Sequence, residues 1–126
     1  MISPTDTVYI AGPMTGQPLF NYPKFFGLAG LIAKEYGCRV LNPARQPNGM
    51  KYVEYLRLAE KDIYQATVVV MLNGWEESYG AKLERTVALN RGKRIISEGD
   101  LMKSLDVRLR AANPLIRIGE LQEGCK

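Results

Sequence analysis

Short apolar runs alternate with longer amphipathic segments along most of this chain. Four such runs, at 7–11, 38–41, 67–72 and 93–96, are predicted strands; those at 7–11 and 67–72 are rich in β-branched residues, and that at 93–96 is more polar at its start. The run at 67–72, Thr-Val-Val-Val-Met-Leu, is the most apolar of them. It therefore predicts a central strand that is buried on both faces.

Apolar residues recur at helical spacing between these runs. The first helix is predicted to begin near Pro23, which suits a first helical turn, and to be capped by Gly37. Further helices are predicted at 52–65 and 79–91. Residues 100–105 permit a short helix. Residues 107–126 have a mixed pattern and receive no assignment; a C-terminal extension is one interpretation of them.

This alternation predicts an α/β fold, a three-layer sandwich with a parallel, Rossmann- or flavodoxin-like sheet of four to five strands. The length of 126 residues suits a single domain, 1–126. Ligands of such sheets bind at the carboxyl ends of the strands. The loops at 12–22 and 73–80 follow the first and third strands, so we expect both at that edge.

Composition limits the catalytic residues and bound groups that this chain can use. There are two cysteines and no histidine, which argues against a structural disulfide, a zinc site, and Ser-His or Cys-His nucleophiles. Carboxylates are left as the candidate acid and base, and we expect no metal or cofactor. The N-terminus does not resemble a signal peptide, and no apolar stretch is long enough to span a bilayer. We expect a cytoplasmic protein with no membrane partner.

The charge pattern leaves two interpretations open. The net charge of +4 is mild, and no dense basic stripe is present, so we expect no nucleic-acid partner. Basic residues nevertheless collect late in the chain, either to attract an anionic small molecule such as a phosphate or as an ordinary solvated surface. They are Arg91, Lys93, Arg94, Lys103, Arg108, Arg110 and Arg117.

The turn before the third predicted helix is the strongest candidate site. Ser78 occupies the expected N-cap position, where its hydroxyl and the free backbone N–H groups beyond it form an anion pocket. Gly80 allows a ligand to approach the backbone closely. Glu84 follows one turn later among apolar residues, either as a functional carboxylate or as a surface glutamate paired with Lys82 or Arg85.

Two other places carry weaker signals. Gly12 and Gly16, with Thr15 between them, can present N–H groups to a phosphate or a ribose, although ordinary strand-to-helix turns also use glycine. Tyr9, near the end of the first strand, is either a core residue or points its hydroxyl toward the same crevice. Asp62 lies near the C-terminal end of the second helix, where its charge opposes the helix dipole, and this conflict favours a functional role.

Three segments together carry a family resemblance: YIAGPMTG at 9–16, NYPKF at 21–25 and GWEESYGAKLE at 74–84. They resemble a phage and bacterial family of unknown function. That family is similar to the nucleoside 2-deoxyribosyltransferases and the 2'-deoxynucleoside 5'-phosphate N-hydrolases. The resemblance runs from about Val8 to Ile96. The Ser-x-Gly-x-x-x-Glu spacing and the Lys-Arg-Ile at 93–95 are shared with the N-hydrolases.

The resemblance implies a role for several of these residues. Glu84 matches the nucleophilic glutamate that attacks the anomeric carbon of the sugar. Ser78 matches a serine that binds the 5'-phosphate, and Tyr9 matches a tyrosine that lines the sugar and carboxylate site. The N-hydrolases carry an arginine where this chain has Thr15. Phe20 and Trp75 are candidates to stack on the base or to serve only in packing. The implied substrate-binding set is Gly12, Pro13, Met14, Thr15, Gly16, Phe20, Asn21, Trp75, Ser78 and Gly80.

This chain differs from the similar families mainly at the residue that would protonate the leaving base. The family keeps an aspartate on the helix before the third strand, and a count without gaps places that position at Ala59. Asp62 lies one turn later and can substitute if the helix ends sooner. A retaining mechanism needs two carboxyl groups about 5–5.5 Å apart, here Glu84 as nucleophile and Asp62 as acid. The aspartate often found at the start of the third strand is Thr67.

Three functions remain open at this point. The first is an N-glycosidase or deoxyribosyltransferase that acts on a nucleoside or a nucleoside 5'-monophosphate. The second is a non-catalytic nucleotide-binding module or phage accessory protein of the same fold, and the third is an interaction protein that keeps only the fold. Members of the similar families are dimers or larger, so we expect a homodimer or a higher homo-oligomer.

Overall fold

The computed structural model describes residues 1–47 and 49–112. In this part of the chain one parallel sheet contains four strands, in the order β2-β1-β3-β4. The prediction of a parallel sheet is confirmed, with four strands. The strands are β1 (Thr7–Ala11), β2 (Arg39–Leu41), β3 (Val68–Met71) and β4 (Arg94–Ser97).

Four α-helices connect and follow the strands within the described residues, and none is long and apolar enough to cross a membrane. The first helix contains Pro23 in its first turn and is capped by Gly37, which has a φ of 65°. Short 3-10 turns lie at Pro18–Asn21, Pro43–Arg45 and Trp75–Glu77. The helices are α1 (Tyr22–Tyr36), α2 (Tyr52–Gln65), α3 (Tyr79–Asn90) and α4 (Glu98–Ala112).

The last helix differs from the sequence prediction. A short helix at 100–105 was expected, whereas α4 has 15 residues and covers the first part of the unassigned segment 107–126. Leu101 and Leu105, four residues apart, are buried and anchor α4 to the core. Tertiary packing therefore supports a helix whose local pattern is weak. Residues 113–126, including Arg117 and Cys125, lie outside the described residues.

Apolar clusters cover both faces of the sheet. Side chains alternate along a strand, so Val8 and Ile10 of β1 pack in the cluster that contains residues of α1 and α4. Tyr9 and Ala11 point the other way and pack with residues of α2 and α3. This arrangement confirms the three-layer sandwich. It also directs Tyr9 toward α3, the helix that carries the candidate carboxylate.

A buried carboxylate ties the loop after β3 to two helices. Glu98, the first residue of α4, accepts a hydrogen bond from the backbone N–H of Asn73 at 2.9 Å. It also forms an ion pair with Lys24 of α1, whose Nζ lies 3.2 Å from Oε2. Because Glu98 is paired with both a cation and a backbone donor, its burial is compensated. The loop that leads to Ser78 is thereby fixed at the carboxyl edge of the sheet.

Gly12, directly after β1, is packed too closely for a side chain. A Cβ at this position would lie 2.7 Å from Leu72 Cβ and 2.9 Å from Leu72 Cδ1, and Leu72 is fully buried. We expect Gly12→Ala to lower the free energy of unfolding by about 1–3 kcal/mol, measured by urea denaturation.

Gly30→Ala is the matched control for this substitution. Gly30 is exposed within α1, and nothing lies within 4 Å of an added Cβ. Because alanine is favoured over glycine in helices by about 1 kcal/mol, this variant should be as stable as the wild type or more so. Wild-type stability in Gly12→Ala would contradict the close packing of Gly12 against Leu72.

Candidate functional site

A cleft of about 600 Å³ opens at the carboxyl edge of the sheet. Its walls come from the loop after β1, the segment between β2 and α2, and the first turns of α2 and α3. Ligands of parallel α/β sheets bind at this edge. The polar lining residues other than tyrosines are Thr15, Gln46, Glu77, Ser78 and Glu84, and the aromatic ones are Phe20, Tyr22, Tyr52, Tyr55 and Tyr79.

Glu84 is a buried carboxylate that lines this cleft, with only 4% of the residue exposed. It lies on the same face of α3 as Ala81 and Ala88, at helical spacing, and these two alanines pack against the sheet. The amphipathic pattern of α3 thus carries the carboxyl group inward. Burial excludes the alternative of a solvated surface glutamate, and the guanidinium of Arg85 instead stacks on the ring of Trp75 at 4.9 Å.

Tyr9 holds one oxygen of this carboxylate. The Tyr9 hydroxyl, which is fully buried, donates a hydrogen bond to Oε2 of Glu84. Within the described residues, the other oxygen of Glu84 has no hydrogen-bond partner, although the residue lines the cleft. One carboxylate oxygen is therefore oriented by the protein, and the other is left for a ligand.

Burial controls the protonation of this pair. It raises the pKa of Glu84 from 4.5 to about 7, against the opposing effect of the Tyr9 hydrogen bond, which lowers it. Burial and then the charge of Glu84 raise the pKa of Tyr9 well above its usual value. Near neutral pH, Tyr9 is thus a neutral donor, and Glu84 is poised between its two protonation states.

Tyr55 of α2 is a second tyrosine of the site. It lines the cleft and its hydroxyl donates to the sulfur of Met14 at 3.7 Å. Burial, and next the charge of Glu84, raise the pKa of Tyr55 above its ordinary value. Its hydroxyl therefore also stays protonated near neutral pH. The sequence patterns did not single out Tyr55, whose only signal was its position in the first turn of a helix at the ligand edge.

Ser78 caps α3 at the wall of the cleft. Its Oγ accepts a hydrogen bond from the backbone N–H of Ala81 at 3.2 Å, as the N-cap pattern indicated. Gly80 also lines the cleft, and the space around it is open. Ser78, Gly80 and Glu84 consequently share one wall.

Only part of the first loop reaches the cleft. Of the residues that sequence reasoning named there, Gly12, Met14, Thr15 and Phe20 line it. The other three do not. These are Pro13, Gly16 and Asn21. Pro13 is buried, and the side chain of Asn21 donates a hydrogen bond from Nδ2 to the carbonyl oxygen of Pro13 at 3.0 Å, which closes the loop. Gly16 is exposed.

The two aromatic candidates behave differently. Phe20 lines the cleft, is 55% exposed, and has its ring centroid 5.8 Å from that of Tyr22. Trp75 does not line the cleft; it packs beside the apolar cluster under α3 and beneath Arg85. Phe20 is placed for contact with a ligand, whereas Trp75 occupies a packing position.

Asp62 is not among the residues that line the cleft, but it lies close enough to Tyr9 and Tyr55 that burial and, to a smaller extent, its charge raise the pKa of both hydroxyls. Helix α2 begins at the cleft with Tyr52 and Tyr55 and runs away from it, so that Ala59 and then Asp62 lie progressively farther along. The helix continues to Gln65, so the earlier helix end that would place Asp62 at the position of Ala59 is not found. Burial raises the pKa of Asp62, and the charges of Lys61 and Arg39 act against that shift.

Sequence reasoning missed several lining residues besides Tyr55. Gln46 and Tyr52 belong to no recognisable motif, whereas Tyr22, Glu77 and Tyr79 lie in the segments at 21–25 and 74–84 that carry the family resemblance. Each is adjacent to a helix start or to a turn at the ligand edge of the sheet. Position relative to that edge is the one signal that Gln46 and Tyr52 offer.

Comparisons with known proteins agree with this fold. A family model described as "Domain of unknown function (DUF4406)" matches residues 6–97. A solved 2-desoxiribosyltransferase from Leishmania mexicana is similar, with a TM-score of 0.60 and 19% identity; the match covers 73% of this chain and 63% of that one. A CMP N-glycosidase from Clostridium botulinum has a TM-score of 0.51 at 19% identity and 80% coverage of both chains. A search of curated proteins gave no significant match.

The raised pKa of Glu84 predicts a pH-dependent cost in stability. Between 4.5 and about 7 the folded state binds more protons than the unfolded one, so stability falls as pH rises through that window. Glu84→Gln removes this cost and keeps an acceptor for Tyr9. We expect this variant to be more stable than the wild type at about pH 8, by up to about 3 kcal/mol, and the gain to vanish near pH 4.

Urea denaturation at several pH values measures this effect. Glu76→Gln is the control, because Glu76 is exposed in the adjacent turn and does not line the cleft. It should show no pH-dependent gain. The absence of a gain in Glu84→Gln would mean that water reaches the carboxyl group freely in solution.

Proposed function

This chain belongs to the DUF4406 family, and we propose that it cleaves the N-glycosidic bond of a nucleoside or a nucleoside 5'-monophosphate, with Glu84 as the nucleophile. The observation that carries the proposal is the buried carboxyl of Glu84 in the cleft, held by Tyr9 on one oxygen. A similar fold in a 2-desoxiribosyltransferase and a CMP N-glycosidase supports it.

The reaction proceeds in two displacements. In the first, the free oxygen of ionised Glu84 attacks the anomeric carbon, the bond to the base nitrogen breaks, and the base leaves with the electron pair and takes up a proton. The product is a glycosyl ester of Glu84. In the second, water or the nitrogen of another base attacks the anomeric carbon, the ester bond to Glu84 breaks and frees its carboxylate, and the attacking group gives up a proton to solvent. Water makes the protein a hydrolase, and a second base makes it a transferase.

Tyrosine hydroxyls assist where a second carboxylic acid was expected. Tyr9 stabilises the ionised form of Glu84 and orients it. Tyr55 offers a hydrogen bond to the leaving base, although its raised pKa makes it a donor of a hydrogen bond rather than a source of the proton. The proton then comes from solvent that enters the open cleft.

The aromatic wall suits a planar base. Phe20, Tyr22, Tyr52 and Tyr79 line the cleft, and Phe20, Tyr52 and Tyr79 are each more than half exposed. Aromatic rings stack on nucleobases without strong sequence preference. We assign the base to this wall and the sugar to the end of the cleft that contains Glu84.

A non-catalytic nucleotide-binding module is the second candidate. The observation that favours it is Ala59 at the expected position of the acid, together with the absence of Asp62 from the described cleft lining. Such a module would bind nucleosides or nucleotides saturably and release no base.

Base release distinguishes the two functions. The protein is incubated with a panel of deoxynucleosides and their 5'-monophosphates, and free base is measured by chromatography. We expect release by the wild type and a loss of at least about 100-fold in Glu84→Gln, because the nucleophile is gone. Glu76→Gln should retain the activity. Saturable binding without release would identify the module instead.

The dependence of the rate on pH tests the state of the nucleophile. Because only ionised Glu84 attacks, kcat/KM should rise with pH through about 7. Tyr9→Phe removes the hydrogen bond that lowers the pKa of Glu84, so this limb should move to higher pH. Tyr64→Phe, at an exposed tyrosine on α2 that does not line the cleft, is the control. An unchanged limb in Tyr9→Phe would contradict the assigned role of Tyr9.

A further inference from the structure

The cleft has an acidic lining. Among its described lining residues, Glu77 and Glu84 carry carboxyl groups, and there is no lysine or arginine. The remaining polar lining consists of neutral hydroxyl and amide groups. A phosphate carries a charge of about −2 near neutral pH, and proteins bind it with cationic side chains and with free backbone N–H groups at helix N-termini. The cleft offers the second, at the start of α3, without the first.

The basic residues in the described part of the chain do not supply that charge. Lys24 is paired with Glu98, Arg94 lies 3.4 Å from Asp6, and Lys93 donates to the backbone of Tyr64. Arg108 stacks on Tyr36 at 4.6 Å. None of these basic residues lines the cleft.

Two further cations are close along the chain but outside the lining. Arg45 and Lys51 flank the segment between β2 and α2, part of which lines the cleft, and both side chains are exposed. Neither of them lines the cleft, whereas Glu77 does, although all three side chains are exposed. They offer a ligand inside the cleft little compensation.

Ser78 does not compensate for this shortage. Its Oγ already accepts the capping hydrogen bond from Ala81, so it has its hydroxyl hydrogen to donate but no charge. Glu77 directly precedes it and lines the same cleft. A 5'-phosphate placed at Ser78 would therefore be brought toward one carboxylate and, during the reaction, toward ionised Glu84 as well.

We infer that the site prefers the uncharged nucleoside to its 5'-monophosphate, and that Glu77 is the residue that discriminates between them. Like-charge repulsion between Glu77 and the phosphate supplies the discrimination. Ser78 then serves the sugar by a hydrogen bond to a hydroxyl group. This inference rests on the proposed N-glycosidase function but makes a separate statement about charge at the cleft.

The test compares kcat/KM for one deoxynucleoside with kcat/KM for its 5'-monophosphate. We expect the wild type to favour the nucleoside by about tenfold or more. Glu77→Lys should shift this ratio toward the monophosphate by about tenfold, and Glu77→Gln by a smaller factor in the same direction. High salt should reduce the preference of the wild type, because it screens the repulsion.

Glu76→Lys is the matched control. It makes the same charge change one residue away, at a side chain that is exposed like that of Glu77 but does not line the cleft, and should alter the ratio by less than about twofold. A wild type that prefers the monophosphate would overturn the inference. Equal shifts in Glu77→Lys and Glu76→Lys would overturn the assignment to Glu77.

A binding measurement tests the charge discrimination even if the protein has no N-glycosidase activity. If neither compound releases base, the N-glycosidase proposal fails, and the dissociation constants of the same two compounds are measured by calorimetry. If the nucleoside binds more tightly than its monophosphate, and if Glu77→Lys reduces this preference while Glu76→Lys does not, the charge discrimination is still supported. Equal or tighter binding of the monophosphate overturns it.

Discussion

The hydrogen bond from Tyr9 to Glu84 is the interaction on which the site depends. Tyr9 points toward α3 because alternate residues of β1 face opposite sides of the sheet. Glu84 meets it because it shares the inward face of α3 with Ala81 and Ala88. Neither side chain can turn away without exposing its apolar neighbours. The core therefore fixes a carboxyl group where its ionisation is costly, and that cost is what brings its pKa near neutrality.

Two buried glutamates in this protein differ in how far their charge is compensated. Glu98 is paired with Lys24 and accepts from the backbone of Asn73, so its charge is compensated and it fastens the loop before the cleft. Glu84 has only the neutral hydroxyl of Tyr9 within the described residues. Burial of an incompletely compensated carboxylate is costly and raises its pKa, whereas the pairing of Glu98 offsets that cost.

The direction of α2 shapes the chemistry around Glu84. The helix starts at the cleft and runs toward the opposite edge of the sheet, so its first turn contributes Tyr52 and Tyr55 to the lining. The positions farther along, Ala59 and Asp62, do not reach it. Glu84 therefore has a tyrosine hydroxyl as its hydrogen-bond partner and a second tyrosine, Tyr55, in the same cleft.

The sequence by itself determined the elements, because the spacing of apolar residues records which face of each strand or helix is buried. It predicted the parallel α/β sandwich, the helix α2 at 52–65 and the N-cap at Ser78, all of which depend on local periodicity and local hydrogen bonds. Only the tertiary structure decided which buried faces meet. It joined Tyr9 to Glu84 across 75 positions, and it lined the cleft with Glu77 and not with Asp62. Those outcomes depend on the orientation of whole elements against one another, which periodicity along the chain does not encode.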